Sequence, residues 1–162
     1  MKSSIQLANR FREVILNGKW IANTNVQDQL SDVTLEQAMT QIADLNTLTQ
    51  LTFHLNYYIS GVLNVFEGGD LEIRDKFSFD LPKMNSEQEW NDLKADLFSN
   101  AEKFANHVEH MSEEKLNAEF VNTDYGDFRR NIEGMIEHSY YHLGQIVLLK
   151  KMIAQLYGKQ ER

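Results

Sequence analysis

Apolar side chains recur at every third or fourth position in four long stretches of the chain, which is the spacing of one face of an α-helix. The first stretch covers residues 4–17 and stops at an Asn-Gly pair. The second runs from residue 34 to about residue 66, the third begins at residue 86, and the fourth covers residues 128–157. The pattern therefore predicts four amphipathic helices, the second of them about 45–50 Å long.

Two of these helices begin with a capping box, in which a hydroxyl side chain and a Glu or Gln three residues later satisfy free helix amides. Thr34 with Gln37 opens the second helix, and Ser86 with Glu89 opens the third. Three apolar stripes are expected to face the core: Leu48, Leu51, Leu55, Ile59, Val62 and Phe66; Trp90, Leu93, Leu97, Ala101, Phe104 and Val108; and Ile132, Met135, Ile146, Leu149 and Ile153.

The links between these stretches lack a sustained helical spacing. Residues 19–31 read as a loop, and we expect its Trp20-Ile21 pair to lie against the core. Residues 70–85 read as irregular, with short extended pieces predicted around residues 71–73 and 77–79.

Four helices with one long crossover between the second and the third predict an all-α protein, specifically a four-helix bundle. The chain of 162 residues is long enough for one domain with a core and too short to divide comfortably into two. We therefore expect residues 1–162 to form a single domain.

Composition and charge exclude several classes of function. The net charge is −8 with no basic cluster at either end, which argues against a nucleic-acid partner. No run of about 18 apolar residues is present to span a membrane, and residues 1–9 lack the apolar stretch of a secretory signal. The chain has no cysteine, hence no disulfide, thiolate ligand or thiol nucleophile. We expect a cytoplasmic protein with no membrane partner.

Two of the five histidines lie four residues apart in the fourth helix. Side chains at this spacing stack on one face about 5–6 Å apart, so both imidazoles can reach one ion at about 2.0–2.1 Å. At about 100° per residue, His138 and His142 fall within the same arc as Met135, Ile146 and Leu149. They should therefore point into the bundle, where a metal-binding pair and two ordinary core histidines are equally good interpretations.

His54 lies on the flank of the apolar stripe of the second helix, near Leu51 and Tyr58. Taken alone it is more simply a core histidine hydrogen-bonded to a neighbour. Combined with the pair on the fourth helix, it supplies a third imidazole and leaves a bound ion one free position, as in catalytic zinc sites. The three histidines together predict a divalent metal site for zinc or nickel, since both accept imidazole.

The two remaining histidines, His107 and His110, lie near the end of the third helix. His110 points away from the apolar stripe and His107 lies well to its side. Because the C-terminus of a helix favours cationic side chains, we assign them a capping role and no metal.

Two well-known metal motifs are absent from the sequence. The glutamate that serves as general base in zincins would follow His138, but Ser139 is there, and Glu137 turns about 100° away. The inward Glu-x-x-His pairs of di-iron bundles are also missing. Peptide hydrolysis therefore loses its most obvious base.

Residues 138–146, His-Ser-Tyr-Tyr-His-Leu-Gly-Gln-Ile, resemble the last-helix motif of the DinB-like superfamily of metalloenzymes, which is distinct from the DNA polymerase that shares the name. Residues 52–58, Thr-Phe-His-Leu-Asn-Tyr-Tyr, resemble its second-helix ligand region. The likeness covers most of the chain in helix order and length, including the long crossover. It implies a four-helix bundle with a three-histidine metal centre, here His54, His138 and His142, and a homodimer.

The same resemblance implies transferases and isomerases that use low-molecular-weight thiols such as bacillithiol or mycothiol, beside many members with no assigned reaction. An ion held by three neutral imidazoles would lower the pKa of a bound water toward about 7 and would deprotonate a bound thiol. We therefore expect a metal-dependent enzyme acting on a small-molecule substrate, with transfer of a low-molecular-weight thiol as the first hypothesis. A metal-hydroxide hydrolase and a non-catalytic metal-binding helical module are the alternatives.

Tyr58 and Gln145 are the candidates for a catalytic or supporting role beside the ligands. Tyr58 follows His54 by one turn and can reach the fourth ligand. Gln145 follows His142 by three residues and can do the same or brace an imidazole. For both, an ordinary amphipathic residue near a bundle core is a somewhat simpler interpretation.

Overall fold

A computed structural model describes residues 2–160, and the side chains of residues 2–158. Four long helices carry most of the chain: α1 (Ser3–Ile15), α4 (Leu48–Phe66), α5 (Glu87–Glu109) and α7 (Phe128–Gln160). Short helices lie between them: α2 (Val26–Leu30), α3 (Leu35–Ala38), α6 (Glu113–Leu116) and a 3-10 turn at Asp75–Phe77. Within residues 2–160 there is no β-strand, and the prediction of an all-α protein is confirmed.

The four long helices pack against one another in a closed order. Helix α1 contacts α5 and α7, and α4 contacts the same two helices. The predicted apolar stripes form the shared core, since all their members are buried except Phe66, which is half-buried. Phe11 of α1 meets Phe104 of α5 with ring centroids 4.3 Å apart. Burial of such large side chains contributes about 1.5–3 kcal/mol each to folding.

The prediction of one continuous second helix over residues 34–66 is wrong. The capping box of Thr34 and Gln37 is present, but it opens only the four-residue α3. A second capping box follows, in which Thr47 accepts from the amide of Gln50 and Gln50 reaches back to the amide of Thr47. Because the intervening residues include Ala43 in a left-handed conformation (φ 47°), the helix stops and restarts. Helix α4 is therefore about 29 Å long.

The expectation for residues 19–31 is wrong in two respects. Residues 26–30 form α2, which begins after Asn25, whose side chain accepts a hydrogen bond from the amide of Asp28. The Trp20 and Ile21 side chains are 71% and 65% exposed and do not lie against the core. This loop contacts α7 through its backbone, because the Tyr140 hydroxyl donates to the Trp20 carbonyl at 2.9 Å.

The extended pieces predicted around residues 71–73 and 77–79 are also not strands. A strand needs a partner for its backbone groups, and here a side chain takes that place. The Tyr57 hydroxyl accepts from the amide of Arg74 at 2.8 Å and donates to its carbonyl at 3.1 Å. The chain then forms the 3-10 turn at Asp75–Phe77, which carries Ser78 and Phe79 to α4.

No helix among residues 2–160 combines the length and apolar character that a lipid bilayer would require.

Candidate metal centre

Three imidazoles meet between α4 and α7, and we call His54, His138 and His142 the histidine cluster. The His138 Nε2 atom lies 3.1 Å from His54 Nε2 and 2.8 Å from His142 Nε2. One ligand nitrogen from each ring falls within 4.8 Å of the others. His54 and His142 are buried and His138 is half-buried, so the structure brings together the three histidines that the sequence singled out.

The outer nitrogens of two of these rings have hydrogen-bond partners that fix their tautomers. His54 Nδ1–H donates to the Ser78 carbonyl at 3.2 Å, and His142 Nδ1–H donates to Gln145 Oε1 at 2.7 Å. Because both partners are acceptors, the proton of each neutral ring is at Nδ1 and the lone pair is at Nε2. Two lone pairs thus point at His138.

This proton arrangement fits a bound cation. Three neutral rings with two Nδ1 protons committed leave one proton, that of His138, for the two short Nε2 contacts. If this proton is at Nε2, a single N–H faces two lone pairs, and if it is at Nδ1, both contacts join two lone pairs. Three nitrogens at about 2.0–2.1 Å from a tetrahedral ion are about 3.3 Å apart. The observed 3.1 and 2.8 Å require an outward shift of only a few tenths of an ångström. Three close histidines can hold a metal ion, and the donor set suits zinc or nickel.

The surroundings keep these imidazoles neutral. Burial lowers the pKa of His54 to about 4, with repulsion from His142 as the next cause. Burial likewise lowers the pKa of His138 to about 4, assisted by its two neighbours in the cluster. The pKa of His142 is also lowered by burial, against the opposing effect of Gln145. Protons therefore compete with an ion at lower pH than an unperturbed imidazole would allow.

Aromatic rings enclose the cluster on the side of α4. Phe79 stacks on the His54 ring with centroids 4.1 Å apart and planes 12° from parallel. The Tyr58 ring lies edge-on to His54 and His138 at 5.0 and 5.2 Å. Its hydroxyl donates to Asp75 Oδ1 at 2.7 Å, and burial followed by this carboxylate raises the pKa of Tyr58. Tyr58 therefore keeps its proton and is held beside the cluster.

A cavity of about 540 Å³ opens at His138 and extends along α7. Its apolar walls are Val62, Leu71, Ile73, Phe120 and Met135, and its polar groups include Tyr58, Asp75, Asp124, Arg130 and Asn131. A cavity with apolar walls and a few convergent polar groups is the usual form of a small-molecule site. A cavity of about 630 Å³ lies elsewhere, at the end of α5, and the histidine cluster does not line it.

The other residues considered from the sequence lie outside the cluster. His107 Nε2 is 3.8 Å from Glu67 Oε1 on the surface, and His110 is the residue that caps α5. Ser139 is buried and donates to the Met135 carbonyl at 2.6 Å, which is a bond within its own helix. Glu137 is exposed. Gln145 takes the bracing role, one of the two that its position allowed.

Four contributors to the site were missed by the sequence reasoning: the Ser78 carbonyl, the Phe79 ring, the Asp75 carboxylate and Arg130. A backbone carbonyl carries no side-chain signature, so nothing in the sequence could have identified Ser78. The first three belong to residues 75–79, which return to α4 only because of the 3-10 turn. For Arg130 a signal existed, because it is two turns before His138 on one face of the helix.

Comparison with known proteins supports the fold and leaves the family open. The structure is similar to a crystal structure of a conserved protein from Enterococcus faecalis, with a TM-score of 0.61 and 17% sequence identity over 94% of each chain. At this identity the likeness concerns the fold alone. No protein-family model matches the chain, and no curated protein is significantly similar to it.

Proposed function

We propose that the histidine cluster binds one divalent ion, zinc or nickel, and that the protein is a metal-dependent enzyme for a small thiol-bearing substrate. The observation that carries this proposal is the convergence of three Nε2 atoms that share at most one proton. Such a set of lone pairs is unfavourable without a cation and favourable with one.

The proposal includes the architecture that the DinB-like resemblance implies. Contacts of α1 and α4 with both α5 and α7 support a four-helix bundle in which residues 67–86 form the crossover. The ligands then come from the second and fourth long helices, as in the resemblance. Membership of that superfamily and the homodimer stay predictions.

A bound ion at this site would supply Lewis acidity, lowering the pKa of a coordinated thiol or water. The chain itself has no cysteine, so a thiolate nucleophile has to arrive with the substrate. The cavity beside His138 has several apolar walls, which suit an organic substrate. Tyr58, anchored on Asp75, presents its ring to the same face and orients whatever binds there.

Cobalt substitution tests the metal and its ligand together. A small thiol added to the cobalt protein at neutral pH should produce the absorption of cobalt–thiolate coordination. His142→Ala should abolish that absorption, whereas the matched surface variant His107→Ala should retain it. A cobalt spectrum indifferent to every added ligand would contradict an open site and remove the basis for the transferase.

The reaction class requires a separate screen. Electrophiles should be consumed by the metal-loaded protein only when a thiol is present. Consumption that needs no thiol would instead support the hydrolase, and a protein that binds metal without either reaction would support the non-catalytic module.

A further inference from the structure

We propose that the cavity beside the histidine cluster binds a small carboxylate, and that Arg130 holds the anionic end of this ligand while its reactive end faces His138. The inference rests on the proposed function, because it takes the histidine cluster as the reactive end of the cavity. It adds a substrate class, an amphipathic monocarboxylate, and a residue that recognises it.

Arg130 is an exposed residue that lines the cavity. Within residues 2–158, whose side chains the structure describes, its guanidinium has no ion pair and no hydrogen bond. Its neighbour Arg129 differs, because it pairs with Glu113 at 2.8 Å and contacts Ser3. A guanidinium presents paired N–H groups that match the two oxygens of a carboxylate, and charge-assisted bonds of this kind are strong.

The backbone seats the Arg130 side chain in this position. Gly126 has φ of +73°, and a Cβ atom there would lie 2.8 Å from Arg130 Cδ. The aliphatic stem of Arg130 therefore occupies the space that a side chain at position 126 would need. The position favours glycine for its backbone conformation and for the space it leaves.

Helix α7 aligns the two ends of the cavity. Arg130, Gly134 and His138 follow at steps of four residues, so they share a face and span about 12 Å along the axis. Gly134 lines the cavity, and a Cβ added there would meet nothing within 4 Å. Glycine is a poor residue for a helix interior, and no packing demand explains it here. Its effect is to leave the path between Arg130 and His138 open.

Charge selects the kind of anion. Asp75 and Asp124 line the same cavity, although Asp75 already accepts from Tyr58. With a divalent ion bound, the charges of the ion, Arg130 and the two carboxylates leave one net positive charge in the cavity. One net positive charge favours a monoanion over a dianionic phosphate. The apolar walls suit a hydrocarbon chain between the two ends of the ligand.

A pair of probes that differ only at the far end tests this proposal. Mercaptohexanoate and mercaptohexanol are titrated into the cobalt-loaded protein, and the cobalt–thiolate absorption reports binding. The acid should bind about tenfold more tightly or better, because a charge-assisted hydrogen bond is worth that factor. Arg130→Gln should abolish the preference, and Arg129→Gln should retain it. Equal affinity of the two probes, or a preference that survives Arg130→Gln, would overturn the proposal while leaving the metal site intact.

Two glycine variants test whether the ligand lies along α7 between Arg130 and His138. Gly134→Leu should weaken both probes at least tenfold, whereas Gly144→Leu should not, because Gly144 is an equally unencumbered, exposed glycine of the same helix outside the cavity. If cobalt does not bind, the metal proposal fails by itself. Hexanoate and hexanol titrated into the metal-free protein then decide the role of Arg130, with Arg130-dependent selection of the acid as the supporting result and its absence as the contradiction.

Discussion

Replacing Gln145 by leucine should weaken metal binding although Gln145 is no ligand. Its Oε1 atom accepts from His142 Nδ1–H at 2.7 Å and thereby keeps the His142 lone pair on Nε2. Leucine fills a similar volume without an acceptor. His142 then either retains a buried N–H without a partner or moves the proton to Nε2, where it blocks coordination. Loss of such a supporting bond typically lowers metal affinity about 10- to 100-fold, or about 1.4–2.7 kcal/mol.

The assay is competition of zinc between the protein and a chromophoric chelator at neutral pH. Gln145→Glu retains an acceptor and charges it, so its affinity should equal or exceed that of the wild type. Gln88→Leu removes an exposed glutamine whose side chain donates to Asp92 on α5, and it should not change the affinity for zinc. Unchanged affinity in Gln145→Leu, or equal losses in the leucine and glutamate variants, would refute the argument that this acceptor sets the tautomer.

Three further predictions follow from the structure. His138→Ala and His142→Ala should abolish zinc binding and His54→Ala should weaken it strongly, whereas His107→Ala and His110→Ala should leave the same titration unchanged; equal losses at all five would contradict the assignment. Trp90→Phe should lower the free energy of unfolding by about 2–3 kcal/mol in urea titrations, because Trp90 is fully buried and donates to the Val33 carbonyl at 2.8 Å; the exposed Trp20→Phe should stay within about 0.5 kcal/mol. The metal-free protein should lose stability as the pH falls from about 6.5, the pKa of histidine in the unfolded chain, to about 4, the pKa of His54 and His138 in the folded protein, because the unfolded chain binds protons first. A difference in melting temperature between wild type and His138→Phe that stays constant from pH 7 to pH 4 would refute this prediction.

The sequence predicted the core of this protein well because its helices bury one face each. The stripes of α5 and α7 needed only the 3.6-residue period, and Ser86 with Glu89 marked the start of α5 as the structure has it. The start of α4 was predicted too early. The capping box at Thr34 was taken as the start of a helix that continues to residue 66, although the apolar stripe begins only at Leu48. Thr47 with Gln50 carries an identical signature, which marks the second start.

The candidate site was predictable as far as side chains on helices determine it. A spacing of four residues brings His138 and His142 together by geometry alone. His54 lies on the flank of the apolar stripe of α4, and only its combination with that pair indicated a shared site. The return of residues 75–79 onto α4 depends on Tyr57 replacing a partner strand at Arg74, which no periodicity reveals. The proximity of the three histidines could therefore be predicted, whereas the groups that orient their rings could not, because those groups depend on tertiary contacts.

The most direct test of the central claim is the metal content of carefully purified protein, measured by elemental analysis before and after chelation and reconstitution. We expect one divalent ion per chain in the wild type, its return after reconstitution, and none in His138→Ala. A wild-type protein that is folded, carries no metal and takes none up would contradict a metal centre, and the histidine cluster would then be three core side chains.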